Sequence, residues 1–476
     1  MPPLQSASPG RKQRGDYPTP PWLVERVVAN TVPPAVAGRR VTVLDPACGD
    51  GRFLVAAARR LEAAGAGVCV VGMDINPAAV DVARRALADA LDGGAVRWRV
   101  ECGDALVHDW HGERFDVIVG NPPFLSQLAT ATTRGGASRH GGGPYADAAA
   151  EFVALAGRLA RPAGGRIGLV LPQSILASRD AAVVRTELDR RATITWSWWS
   201  AGHVFEAQVH VCAITFETRE QVIDAAAGHG SWSHVVTAAL DVPDVPVLTV
   251  AGQLGQRARL TANFRDQYYG LVPAVVEDGD GPHLVTSGLV DPARNAWGRR
   301  DVTFARRRFQ RPTVDLARLS PAMRRWADGL LVPKVLVANQ TRVVEAVTDA
   351  EGAWLPGVPV ITARPIAAAD LWPVAAVLTS PIASAWAWHR AAGTGLSATA
   401  LRLGPRWLVD LPWPAGGLDA AVTALRDGDV VACGSAVSRS YGVGDDDRWG
   451  ERSLLDWWAD RLPGGDPVPG RGSHIP

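Results

Sequence analysis

The sequence predicts an α/β fold built on a mostly parallel sheet with helices on both faces and an antiparallel hairpin at one edge, followed by a second, α+β domain. Three observations carry this expectation. Short β-branched runs alternate with alanine-rich, helix-like stretches from about Val41 to Glu217, the pattern of successive strand–helix–strand units. Acids stand at the ends of the first three runs, as Asp45, Asp74 and Asp104. Composition then changes after about Leu240.

The strand candidates, in order, are VTVLD (41–45), VCVVGMD (68–74), VRWRVECGD (96–104), FDVIVGN (115–121), RIGLVLP (166–172), ATITWSWWS (192–200) and HVCAITFE (210–217). The last two have no helix-length spacer between them, so they pair as the antiparallel hairpin. The stretch from Thr130 to Pro144 is rich in Gly, Ser and Thr and reads as a mobile loop.

At 476 residues the chain exceeds one ordinary core. A 47% hydrophobic and 20% charged composition is globular, and a net charge of +1 excludes a protein coated in basic residues. The five cysteines (Cys48, Cys69, Cys102, Cys212, Cys433) are scattered without a CxxC pair. They argue against a disulfide framework and a zinc site, so no metal is expected and a reducing cytoplasm fits. Met1 to Arg14 is polar, with no apolar signal segment, and no run approaches the ~20 apolar residues of a membrane span.

Charge is segregated, however. Between Pro292 and Val344 twelve Arg and Lys face three Asp, an excess of nine, with Trp297, Phe304, Phe309 and Trp326 interleaved. A solvated face is the plain reading. The aromatics tilt it toward nucleic acid, with Arg299, Arg300, Arg306, Arg307, Arg308, Arg311, Lys334 and Arg342 as candidate contacts.

VLDPACGDGRF (43–53) is an apolar strand, a small-residue loop and a helix start. Gly49 and Gly51 permit tight turns and close approach of backbone to a ligand. The loop is neither GxGxxG nor GxxxxGK[ST]. Asp74, in GMDIN (72–76), stands where a carboxylate accepts both ribose hydroxyls, and Asp104, in CGDAL (102–106), where one accepts an adenine amino group. Any one of these acids taken alone is more often a helix N-cap. Three at successive strand ends suit a cationic sulfonium nucleoside better than a polyanionic dinucleotide.

GNPPF (120–124) follows the fourth run. An aromatic amine is a poor nucleophile because its lone pair is conjugated into the ring. Two acceptors held against the NH2 group draw that pair out toward an electrophile. The Asn121 side-chain oxygen and the Pro122 carbonyl can be those acceptors, with Pro122 and Pro123 fixing the backbone and Phe124 offering a face for stacking. Asn-Pro-Pro is also a common strand-ending turn, and its position after a sulfonium-type site is what favours chemistry.

In motif content and order these residues resemble the gamma-class, TaqI-like N6-adenine DNA methyltransferases. The likeness is strong in the first half and loose in the second, over roughly Gly15 to Pro414. It implies a Rossmann-like S-adenosylmethionine-dependent methyltransferase sheet and a C-terminal target-recognition domain. GDYPTPPWLVERVV (15–28) resembles the family's N-terminal Thr-Pro-Pro segment, which implies that Thr19 meets the methionine carboxylate of the cofactor. By the same likeness Asp45, Ala47, Cys48 and Gly49 form the methionine loop, Asp74 and Ile75 hold the ribose, and Asp104 and Ala105 hold the adenine. Asn121, Pro122, Pro123 and Phe124 match the catalytic motif, and Asn121 also borders the cofactor. Phe152 is implied as the aromatic covering the cofactor and Phe205 as a second base-stacking ring, although both read equally well as core aromatics. Asp50 departs from the Ser or Thr frequent there, and Phe124 replaces Tyr.

The resemblance implies this organisation: a flexible N-terminus (1–14), a methyltransferase domain (15–240), a DNA target-recognition domain (241–414) and a C-terminal extension (415–476) that caps the fold or meets a partner. The implied function is methylation of a flipped adenine in double-stranded DNA, in a restriction-modification or phage-defence setting. No nuclease motif is present and the methyltransferase motifs begin at residue 15, so cleavage is expected from a separate endonuclease or defence subunit. The competing readings are an RNA base methyltransferase with the same chemistry, a glutamine methyltransferase (disfavoured by more than 200 residues after the motifs), and a non-catalytic DNA-binding scaffold.

Overall fold

The computed structural model describes residues 18–463 apart from 34–35, 92–95, 125–137, 139, 144–145, 203, 206–208, 224–230, 264, 396, 398, 446 and 448–451. The N-terminus 1–14 and most of the Thr130–Pro144 loop lie outside the described residues. The chain divides into two compact units, Met1–Val235 and Val236–Pro476.

The first unit is a seven-stranded sheet in the order β3-β2-β1-β4-β5-β7-β6. Its strands are β1 (Arg40–Asp45), β2 (Gly67–Asp74), β3 (Val96–Cys102), β4 (Val117–Gly120), β5 (Arg166–Pro172), β6 (Ala192–Trp199) and β7 (Val211–Thr218). The first five are parallel, while β7 runs antiparallel to both β5 and β6. This is a Rossmann-like sheet with the expected antiparallel hairpin. Burial explains the order. β4 and β7 are buried almost throughout, as strands covered on both faces must be, whereas β6 buries only Ala192 and Trp198 and takes the edge.

The helices begin where local chemistry allows. In α1 (Pro21–Thr31) proline occupies the first turn. Gly51 precedes α2 (Arg52–Ala63) at φ +80°, a left-handed turn that glycine adopts without steric cost. Asn76 caps α3 (Pro77–Ala90) through Ala78 N–H, and Asp147 caps α4 (Ala148–Leu159) through Ala149 N–H. α4 lies closely on α5 (Ala182–Arg191): a Cβ at Gly157 would sit 3.0 Å from Leu188.

The second unit is α+β. One antiparallel sheet runs Ala346–Asp349, Lys334–Val337, Ile361–Pro365 and Ala258–Ala262; a second, mixed sheet joins Val275–Glu277, Pro312–Val314, His283–Val285 and Trp354–Pro356, the last two in parallel. Leu284, Phe304, Phe309, Leu336 and Leu355 belong to its own apolar core. The stretch after Ala415 is not a loose appendage. Its helices Val430–Ser440 and Leu454–Ala459 pack within this unit. Trp457 and Trp458, within the extension expected to cap the fold or meet a partner, are fully buried there. Gly434 makes room for them, since a Cβ would lie 2.6 Å from the Trp458 ring. Among the described residues no helix is long and apolar enough to cross a membrane.

Candidate active site

The strand ends of the first unit converge on one edge. Asp74, ending β2, accepts Gly49 N–H on Oδ2 and Asn76 N–H on Oδ1, each at 2.8 Å. One carboxylate thus ties the loop after β1 to the turn after β2. Each oxygen keeps a second lone pair for a ligand hydroxyl. Asp104, after β3, accepts Leu106 N–H at 3.0 Å, and Ala105 beside it is buried. Ile75, next to Asp74 in the turn after β2, is 69% exposed, an apolar branched surface.

β4 lies beside β1, pairing Val43 with Val117 and Leu44 with Ile118. Asn121 therefore follows β4 next to the end of β1. The approach is tight: a Cβ at Gly120 would meet Asp45 Oδ1 at 2.6 Å. Asn121 Nδ2 donates to Thr19 Oγ1 at 3.0 Å. Pro122 and Phe124 are buried, and Asn121 and Pro123 partly so.

Residues 4–222 match the model of the N-6 DNA Methylase family. That match takes in just under half of the chain, its methylase half. The chain is 30% identical over 212 residues to the Type II methyltransferase M.TthHB8I of Thermus thermophilus, a match covering 40% of the present chain and 42% of that protein. The chain thus spans less than half the length of that curated relative. Among solved structures, a class I S-adenosylmethionine-dependent methyltransferase from Listeria monocytogenes is 19% identical, with 42% and 60% of the two chains covered and a TM-score of 0.35. The type I restriction-modification system methyltransferase subunit from Streptococcus thermophilus is 18% identical, with 43% and 46% covered and a TM-score of 0.36.

S-adenosyl-L-methionine is the cofactor that the match to the N-6 DNA Methylase family implies, and the residues present fit it. Asp74 and Asp104 offer acceptors at successive strand ends, Ile75 offers apolar surface, and the Gly49 turn at φ +51° leaves open space where a side chain would stand. Asp45 is 1% exposed and accepts Ala47 N–H at 3.0 Å. Burial pushes its carboxyl well above the usual range; the Ala47 bond opposes this, and Asp74 and Asp50 add to it. Burial, with Asp45 and Asp74 nearby, likewise keeps the Cys48 thiol protonated.

Phe124 and Phe205 of the methylase half meet edge to face, with ring centroids 6.1 Å apart at 65°. In that arrangement no parallel slot separates them, so a base stacked between the two requires one ring to move. Phe152 is 7% exposed on α4.

Three contributors were not foreseen. The Arg52 guanidinium donates to the Thr19 carbonyl and pairs with Asp50. Glu151 accepts Ser138 Oγ and the N–H groups of His140 and Gly142 at 2.8–3.0 Å, and the His140 Nε2 lies 3.0 Å from the Leu106 carbonyl. The described end of the Gly-rich loop is thereby anchored beside Asp104, rather than loose as its composition predicted. Buried Gln173 donates to the Ser200 and Val211 carbonyls, bracing both ends of the segment that carries Phe205. Asp50 and Arg52 flank the helix start within GDGRF, so only their spacing hinted at the first; the others carry no local pattern.

The candidate nucleic-acid contacts lie in the second unit and fare unequally. Lys334 is removed from that set: it is fully buried and ion-paired with Asp349, beyond reach of a phosphate. Arg300 pairs with Asp291, Arg308 with Asp301 and Arg311 with Asp278. Arg299, Arg306 and Arg307 are exposed, and Arg342 is half-buried. Arg306 occupies the turn of the hairpin Val302–Phe304 and Arg307–Phe309, where Ala305 and Arg306 both have positive φ, +49° and +63°.

Proposed function

We propose that the chain is a DNA adenine-N6 methyltransferase. The observation that supports it most is Asn121-Pro122-Pro123-Phe124 at the end of β4, directly beside the β1 loop, in a sheet whose neighbouring strand ends carry Asp74 and Asp104. The bound cofactor supplies an electrophilic methyl group on a sulfonium. The protein's own task is to make the amine nucleophilic. Asn121 Oδ1 and the Pro122 carbonyl accept the two N6 hydrogens and favour the tetrahedral form, in which the lone pair leaves the ring plane. Pro122 and Pro123 hold that carbonyl in place. The extra proton departs to water after transfer, because the alkylated amine is acidic. Alignment of nitrogen against methyl supplies the rest of the rate.

The adenine must leave its duplex to reach this position, at a cost of a few kcal/mol in stacking and pairing. Phe124 stacks on it, with Phe205 as the second ring once displaced. Arg299, Arg306 and Arg307 hold phosphates. The similarity to a Type II methyltransferase supports a restriction-modification or defence setting, with a separate endonuclease as partner.

The test is methyl transfer from labelled S-adenosylmethionine to duplex DNA, with structured RNA in parallel and modified-base sequencing of the product. Incorporation at adenine N6 in DNA is expected; incorporation into RNA alone overturns the proposal. Asn121→Ala is expected to abolish transfer, a loss of about a hundredfold or more, while calorimetry finds cofactor binding largely kept.

A further inference from the structure

A terminal amide is nearly symmetric in shape: half a turn about its last bond exchanges oxygen for NH2. For Asn121 the exchange is chemically decisive. With NH2 forward it presents a donor to a donor and draws no lone pair from the amine. Something must hold the amide one way round. Thr19, 102 positions earlier in the chain, has its Oγ1 3.0 Å from Asn121 Nδ2 and is 3% exposed.

We propose that Thr19 is a positioning residue for methyl transfer: its hydroxyl accepts the Asn121 Nδ2–H and fixes Oδ1 as the atom offered to the substrate. This rests on Asn121 being the acceptor for the target amine. Thr19 is itself fixed. Its branched side chain has few rotamers, and Pro20 and Pro21 stiffen the backbone that follows. Its carbonyl accepts from Arg52. Arg52 Nε is in turn aimed by both oxygens of Asp50, at 2.8 and 3.0 Å, with a second contact from Nη2. Burial would raise the Asp50 carboxyl, but the Arg52 bonds and charge hold it below the usual range, so the clamp stays ionised. A line of contacts thus runs from the loop after β1, through Asp50, Arg52 and Thr19, to Asn121. A hydroxyl can donate or accept, and it stays an acceptor toward Asn121 when its own hydrogen is given to another group, the role that a cofactor carboxylate would fill.

The experiment uses full-length protein labelled with 15N-asparagine, the Asn121 side-chain signal being assigned by its absence in Asn121→Ala. Its amide protons are expected to exchange slowly with solvent in the wild type and in Thr19→Ser, and at least about tenfold faster in Thr19→Val. At saturating S-adenosylmethionine, Thr19→Val is expected to lose about tenfold or more in kcat on duplex DNA with KM little changed, and Thr19→Ser to restore it. Asp50→Asn, which leaves the buried hydroxyl untouched, is expected to fall between the two. Amide exchange indifferent to Thr19→Val, or full turnover by that variant, overturns the positioning role. A wild type that methylates no adenine yet shows the exchange pattern overturns the reading of the substrate and leaves the lock on the amide standing.

Discussion

Glu345 is a carboxyl that the second unit holds at a cost. Burial pushes it up to about 8; Asp291 adds to the rise, and Arg300 and Arg342 oppose it. The folded chain therefore keeps a proton at this site between about 4.5 and about 8 that the unfolded chain releases. More protons on the folded state means that stability falls as pH rises through that window. Glu345→Gln, neutral at every pH, is expected to flatten this decline in the melting temperature of the second unit. A slope unchanged in the variant refutes the assignment. The residues around Asn121 show the same logic of paired groups, there used to orient an amide rather than to bury a charge.

At the scale of elements, the contact between β1 and β4 sets the site. Gly120 touches Asp45 so closely that one methyl group has nowhere to go. Gly120→Ala is expected to destabilise the first unit by about 1–3 kcal/mol, seen as a lower denaturation midpoint, and to weaken cofactor binding by shifting the β1 loop. Most of this architecture was legible in the chain. The run 68–74 became Gly67–Asp74 and the run 166–172 became Arg166–Pro172, because strands covered on both faces leave unbroken apolar stretches in the sequence. That β7 would enter between β5 and β6 was not legible. Adjacency predicts only that the last two strands pair, and which one takes the edge is decided by burial on the second face. Thr19 and Asn121 were each visible as motif residues. Their hydrogen bond was not, since no spacing rule links side chains 102 positions apart.

For the whole molecule, the basic segment shows what a sequence window misses. Its excess of positive charge was counted without Asp278, Asp291 and Asp349, which the fold brings from outside the window onto Arg311, Arg300 and Lys334. Of the eight candidate contacts, the exposed ones outside those ion pairs and the Arg308–Asp301 pair are Arg299, Arg306 and Arg307. Replacing Arg306 and Arg307 together by alanine is expected to weaken binding to all duplex sequences alike. The slope of log affinity against log salt should fall by about 2 in the double variant, measured by fluorescence anisotropy across a salt series. An unchanged slope places the phosphates elsewhere.

The burial of Trp457 and Trp458 bears on how this gene tolerates damage. Cutting one buried tryptophan to alanine typically costs about 3–5 kcal/mol, against a total stability of about 5–15 kcal/mol for a domain. A premature stop codon in place of Asp456 removes both rings at once. Such a product is not the same protein lacking a tail but one with its interior uncorked, and it is destined for proteolysis or aggregates before any question of activity arises.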